Sequence, residues 1–180
     1  MLSDDALRII AVYFTAVLKR GRWPTSVRNV TLAMIPKADG GLRPIGLCYH
    51  LYRVFMKMMR GEARRWQRQA NLTWMAFGEG KAADDAAFAV AIRAEGQTTQ
   101  GEAALAAIGD LQKGFEKVHH ALLLRQARQM RFPIALLQVA LNMYSGQRRI
   151  KIGAAYSAGV RTARGVVAGC SIAIYLLAVV

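Results

Sequence analysis

Residues 108–120 read IGDLQKGFEKVHH and hold the strongest chemical prospect in the chain. A short apolar run, ALAAI, leads into Asp110, and Lys113, Gly114, Phe115 and Glu116 follow. A carboxylate at the end of a buried strand can hold a divalent cation, because Mg2+ prefers hard oxygen ligands. An acid in the same place can equally start a helix, whose N-terminal end is partially positive. Two-metal phosphoryl transfer needs several carboxylates converging from separate elements. No Asp or Glu occurs between Lys117 and Val180. The residues alone therefore leave both roles open for Asp110.

Other chemistries fail on spacing. His119 and His120 are adjacent and would point in different directions on a helix, and Cys170 and Ser171 open an apolar stretch. No nucleophile is paired with a base and an orienting group. Cys48, Cys170 and the three histidines show no zinc-ligand spacing. GEGKAADD, from Gly78, superficially suggests a phosphate loop. That motif needs a glycine where Met75 stands and a hydroxyl residue where Ala82 stands.

The chain has 180 residues, 25 Lys and Arg against 11 Asp and Glu, and a formal charge of +14. An apolar fraction of 54% excludes a disordered polybasic tail. A folded chain this basic is expected to meet a polyanion, nucleic acid first and an anionic membrane surface second. Two distant cysteines point to an intracellular, reducing compartment. MLSDDALRIIAVYF carries acids where a signal peptide needs cations. The apolar end, GCSIAIYLLAVV, is shorter than the roughly 20 residues of a membrane span. It reads as a buried helix, and the chain as a fragment; no membrane partner is expected.

These residues need elements to position them. Ser3 to Arg20 reads as a helix, with Ser3 as cap and a stripe of Leu7, Ile10, Phe14, Val17 and Leu18. Val27 to Ile35 and Leu42 to Leu47 read as a hairpin turned by Ala38-Asp39-Gly40-Gly41, with Lys37 near its tip and Arg43 on its return strand. Tyr49 to Ala70 is a long amphipathic helix. Tyr52, Phe55, Met56, Met59, Ala63 and Trp66 fill one side. Arg53, Lys57, Arg60, Arg64 and Arg68 recur every three or four residues on another side, without interleaved acids. Such a row can neutralise phosphates along nucleic acid; an ordinary solvated face is the plainer reading.

After a loop from Asn71 to Gly80, a helix is expected from Ala83 to Glu95 with Phe88 and Ile92 inward, then a polar connector to Gly101. Ala103 to Ile108 reads as a strand buried on both faces. Helices are expected over Val118 to Arg131 and Ile134 to Tyr144, divided by Phe132-Pro133. A weak strand at Arg148 to Ile152, a loop from Arg164 to Gly169 and a final apolar helix complete an α+β chain with no internal domain boundary.

Four stretches, in order, resemble reverse transcriptases of the non-LTR retrotransposon and group II intron type. WPTSVRNVTLAMIPKADGGLRPIGL resembles the family's fingers hairpin, with its IPK…G…RPI signature. FGEGKAADDA resembles GF..G.S..DA, DLQKGFEKVHH resembles D..KAFD.V.H, and GVVAGCSIA resembles GV.QGSPLS. The resemblance runs from about Trp23 to Val180. It implies the fingers and first palm elements over about residues 1–109 and a partial palm over about 110–180. It also implies RNA-templated DNA synthesis from dNTPs on a primer, with Mg2+ or its substitute Mn2+.

By the same resemblance, Asp110 matches a metal-binding aspartate, and Leu111 a position whose carbonyl helps hold metal. Phe115 matches the aromatic that closes on the sugar, and Lys37 and Arg43 match cations that meet the triphosphate. Gly165 and Gly169 match the loop beneath the template and incoming base. Gly114 replaces the family's alanine, Glu116 its second aspartate, Ala168 its glutamine, and Lys81 a common serine. The aromatic-x-Asp-Asp segment has no counterpart in these residues, so the expected site is incomplete and the chain is expected to be inactive alone. The alternative is a non-catalytic nucleic-acid-binding module. A eukaryotic retroelement parent would imply a nuclear location, and further parent domains.

Overall fold

The computed structural model describes residues 2–38, 40–70, 82–103, 105 and 113–180. The α+β reading holds. α1 spans Asp4–Arg20, and the Ser3 hydroxyl accepts from the Ala6 amide at 3.3 Å. Gly21 ends it at φ 63°, a left-handed conformation that glycine adopts without a Cβ penalty. Phe14 and Val17 are buried, as the stripe requires, but Leu7 is exposed. A short 3-10 turn, Thr25–Val27, precedes β1 (Val30–Pro36), so Val27 belongs to the turn rather than the strand.

β1 pairs antiparallel with β2 (Leu42–Leu47), giving the expected hairpin. β1 also pairs in parallel with β3 (Gln147–Ile152), so the chain between them forms one long crossover. β4 (Ala155–Tyr156) and β5 (Val160–Arg161) both pair with β3, completing a five-stranded sheet. These two short strands were not legible in the sequence.

α2 (His50–Ala70) buries Tyr52, Phe55, Met56, Ala63 and Trp66. Trp23 contacts Tyr52 and Phe55 edge to face, with centroids 5.6 and 5.5 Å apart. Trp66 packs on Phe132 at 4.9 Å and donates its indole N–H to the Met130 carbonyl at 2.8 Å. α5 (His120–Gln129) and α6 (Ile134–Tyr144) continue the core through Leu123, Leu136, Leu137 and Met143. α7 (Ala173–Leu177) buries Ala173, Tyr175 and Leu176, so the apolar C-terminal stretch is core. Among the described residues, no helix is long and apolar enough to cross a membrane.

α3 (Ala83–Thr99) departs from expectation twice. It continues through the supposed connector, where Thr98 and Thr99 hydroxyls donate to the Ala94 and Glu95 carbonyls, each at 2.8 Å. None of its residues is buried; Phe88 is 67% exposed and Ile92 52%. An alanine-rich helix has too weak an apolar stripe to fix which side faces the core. The expected strand at 103–108 is not seen in its described part. Ala103 and Leu105 are outside any regular element, and Leu105 is exposed. Its other residues, and the 71–80 loop, lie outside the described residues, apart from these two.

Candidate nucleotide and nucleic-acid site

The hairpin places its two cations near its turn. Ile35 is registered with Arg43, so these two side chains share a side, and Lys37 follows directly after β1. The Lys37 amide donates to the Gly41 carbonyl at 2.8 Å, and Gly40 turns at φ 81°. Both cations are exposed. They are thus available to an anion, and a triphosphate would gain charge-assisted hydrogen bonds from them.

A second wall stands against this hairpin. The Gly46 amide of β2 donates to the Ala168 carbonyl at 3.0 Å. A Cβ at Gly46 would overlap Val167 Cγ1 and lie 3.1 Å from the Ala168 carbonyl oxygen. Glycine is required here by close approach, not by its dihedral angles. Gly169, at φ 103°, lies against the Gly46 carbonyl, 3.1 Å from where its own Cβ would stand. The loop from Gly165 to Gly169 is therefore seated on the edge of β2.

The other end of the same loop holds Phe115. α4 (Gly114–Lys117) carries it, half-buried. The Val166 amide donates to the Phe115 carbonyl and the Gly165 amide to the Val118 carbonyl, both at 2.7 Å. Lys113, just before α4, has φ 55°. A non-glycine residue there costs about 1–2 kcal/mol, so the turn into α4 is held by its surroundings. Expected site residues from three distant parts of the sequence, Gly165 and Gly169, Phe115, and the β2 strand of Arg43, thus meet through backbone hydrogen bonds.

Arg148 and His120 tie the loop from behind. Arg148 donates from Nη2 to the Gly165 carbonyl at 2.7 Å and the Tyr144 carbonyl at 3.0 Å. His120 Nε2 is 3.1 Å from the same Gly165 oxygen. Burial lowers the pKa of His120 from 6.5, against the Gly165 bond and with Arg148 and His119 as further positive neighbours. Burial likewise lowers that of Arg148. His120 is therefore half-buried and tied to the loop. Sequence reasoning missed Arg148 and Gly46; neither has a local signature, since each matters only through a contact far along the chain.

The cysteines are structural. The Tyr52 hydroxyl lies 3.1 Å from Cys170 Sγ, and burial raises both pKa values. Burial pushes Cys48 up to about 12. Thiols held neutral in this way are poor nucleophiles.

On α2, Arg53, Lys57, Arg60 and Arg68 are exposed and Arg64 is half-buried. Arg60 Nε donates to the Tyr175 hydroxyl at 3.4 Å. Glu62 pairs with Arg65, off this row, at 3.1 Å. Asp110 and Leu111 lie outside the described residues. Among the described residues, no group of three His, Cys, Asp or Glu could hold a metal ion.

A family model described as Reverse transcriptase (RNA-dependent DNA polymerase) matches residues 35–180. The chain belongs to the reverse transcriptase family. A search of curated proteins found no match. The match begins at Ile35, in the hairpin that carries Lys37 and Arg43, and takes in α2, Asp110, α4 and the Gly165–Gly169 loop. Family membership brings nucleotidyl transfer and Mg2+ as the general chemistry of reverse transcriptases.

Proposed function

We propose that the chain forms the fingers and the first part of the palm of an RNA-directed DNA polymerase. The parent is of the non-LTR retrotransposon or group II intron type, and the fingers-to-palm change falls near residue 110. The observation that supports this reading best is the loop seated between the hairpin and Phe115, bonded at Gly46 and at Phe115. An incoming dNTP would lie along this junction. Lys37 and Arg43 would take its triphosphate. Phe115 would close on the sugar and disfavour a 2′-hydroxyl. The glycines of the loop would let its backbone approach the nascent base pair.

The cations of α2, exposed at Arg53, Lys57, Arg60 and Arg68 and half-buried at Arg64, would run along template or primer phosphates. Asp110, with the Leu111 carbonyl, would supply one part of a metal site. Bound Mg2+ would neutralise the transferring phosphoryl group and activate the primer hydroxyl. No Asp or Glu follows Glu116 to complete such a site from within these residues. The 180 residues alone are therefore expected to bind substrates without incorporating them. A primer-extension assay with Mg2+ tests this; robust dNTP incorporation by the chain would overturn it.

A non-catalytic nucleic-acid-binding module is the second reading, favoured by the exposed α2 row. It predicts salt-sensitive nucleic-acid affinity unchanged by Phe115→Ala and lost on charge reversal at Lys57 and Arg60. It also predicts no discrimination between dNTP and rNTP.

A further inference from the structure

α1 is apolar on two sides, and the described residues cover only one of them. Phe14 and Val17 are buried, and Phe14 meets Phe55 of α2 edge to face with ring centroids 5.2 Å apart. That contact fixes which side of α1 faces outward. The outward side carries Asp5, Ile9, Val12, Ala16 and Lys19, spaced by four, three, four and three. This is the a/d repeat with which one helix packs along another. Ile9 is 70% exposed and Val12 72%, where a surface helix ordinarily carries polar residues. α1 also lies before the residues of the family match, so the polymerase reading assigns it nothing.

The charges along this seam are self-complementary. Asp4 and Asp5 open the helix, and Lys19 and Arg20 close it. They complement the helix's own dipole, and they also set how a second copy can lie alongside. A parallel partner would set acid against acid and cation against cation. An antiparallel one sets each acidic end against a basic end, and a two-fold axis repeats the match at both ends.

We propose that α1 docks against α1 of a second copy of this chain, antiparallel about a two-fold axis. Ile9 lies against Val12 of the second copy, and Val12 against its Ile9, so the seam packs in a-to-d layers. Asp5 then falls opposite Ala16 of the second copy. Lys19 of that copy stands about 4.5 Å further along the axis, within reach of a lysine side chain. Asp4 has the same offset from Arg20.

A cleft of about 280 Å3 beside the seam, lined by Tyr13, Ala16, Arg20, Arg22 and Trp23 among others, receives the end of the partner helix. In this register Leu2, exposed just before the helix, falls opposite Lys19 and next to that cleft. The aromatic walls suit its side chain, and exposed Arg20 and Arg22 suit the carboxylates that follow it. An acidic partner of another kind would satisfy the cations but set like charge against Asp4 and Asp5; a second copy satisfies both ends. The apolar seam supplies affinity and the exposed charges supply orientation. α1 is about 25 Å long, so the pair falls at the small end of specific interfaces, with an expected dissociation constant on the order of 10 µM.

Sedimentation equilibrium of the whole chain, over about 1–200 µM to bracket that constant, tests this. The wild type should shift from 19.8 kDa toward twice that mass. Ile9→Glu with Val12→Glu should weaken association at least about tenfold. Both side chains are exposed in the monomer, so circular dichroism and the thermal midpoint should match the wild type. Asp4→Lys with Asp5→Lys, and Lys19→Glu with Arg20→Glu, should each fail to self-associate. An equimolar mixture of these two variants should restore the dimer, because each end then meets its opposite; loss of fold would not recover on mixing. A monomer at the highest concentration, a dimer unchanged by the Ile9 and Val12 substitutions, or no recovery on mixing would each overturn the proposal. So would a monomeric chain that floats with anionic vesicles and loses flotation on those same substitutions, which would assign the face to lipid.

Discussion

Gly46→Ala should separate the site loop from the hairpin. The added methyl would overlap Val167 Cγ1 and stand 3.1 Å from the Ala168 carbonyl oxygen, the acceptor of the Gly46 amide. Val167 is buried and β-branched, so it has little rotamer freedom to retreat. Overpacking costs about 1–3 kcal/mol, and the strained Gly46–Ala168 bond forfeits about 0.5–1.5 kcal/mol more. A destabilisation of about 2–4 kcal/mol follows, read by urea unfolding. The cause is isolated by Val167→Ala, which alone removes buried methyl groups and destabilises. Combined with Gly46→Ala it opens the space that the new methyl needs. The double variant should be more stable than the sum of the singles by about 1–2 kcal/mol. Additivity within about 0.5 kcal/mol would refute the packing argument.

Three further outcomes follow from the same region. Arg148→Met should destabilise the chain by about 2–4 kcal/mol, since two charge-assisted bonds to the Gly165 and Tyr144 carbonyls are lost; urea unfolding checks it. His120 has a folded pKa lowered from 6.5 by burial, so the unfolded chain takes up its proton first as pH falls. Stability should be full above about pH 6.5 and decline below it until the folded pKa is passed, and His120→Gln should flatten that part of the profile. Lys113→Gly should stabilise by about 1 kcal/mol in thermal or urea unfolding, because glycine accepts the φ of 55° without the Cβ penalty.

The sequence was most legible where a local rule decides structure. Ser3 and Gly21 bound α1, Gly40 turns the hairpin, and the Tyr52–Trp66 pattern sets the buried side of α2. It was least legible where a partner decides. Phe88 and Ile92 share a helical spacing, yet spacing cannot supply the surface that would bury them. β4 and β5 are two residues long each, too short for any periodicity. For the site, motif order picked out Phe115, Gly165 and Gly169, whereas the parts that join them, Gly46, Arg148 and His120, emerge only from contacts across tens of residues. Asp110 and Leu111 stay expectations of the sequence, outside the described residues.

The central claim is that hairpin cations and the Phe115 loop together form a nucleotide site. Equilibrium binding of a fluorescent dNTP to the chain, with the matching rNTP as competitor, tests it most directly. The account predicts binding that weakens at least tenfold in the Lys37→Ala/Arg43→Ala double variant, and competition by rNTP that improves in Phe115→Ala. Unchanged affinity in the double variant, with the fold intact, would contradict it.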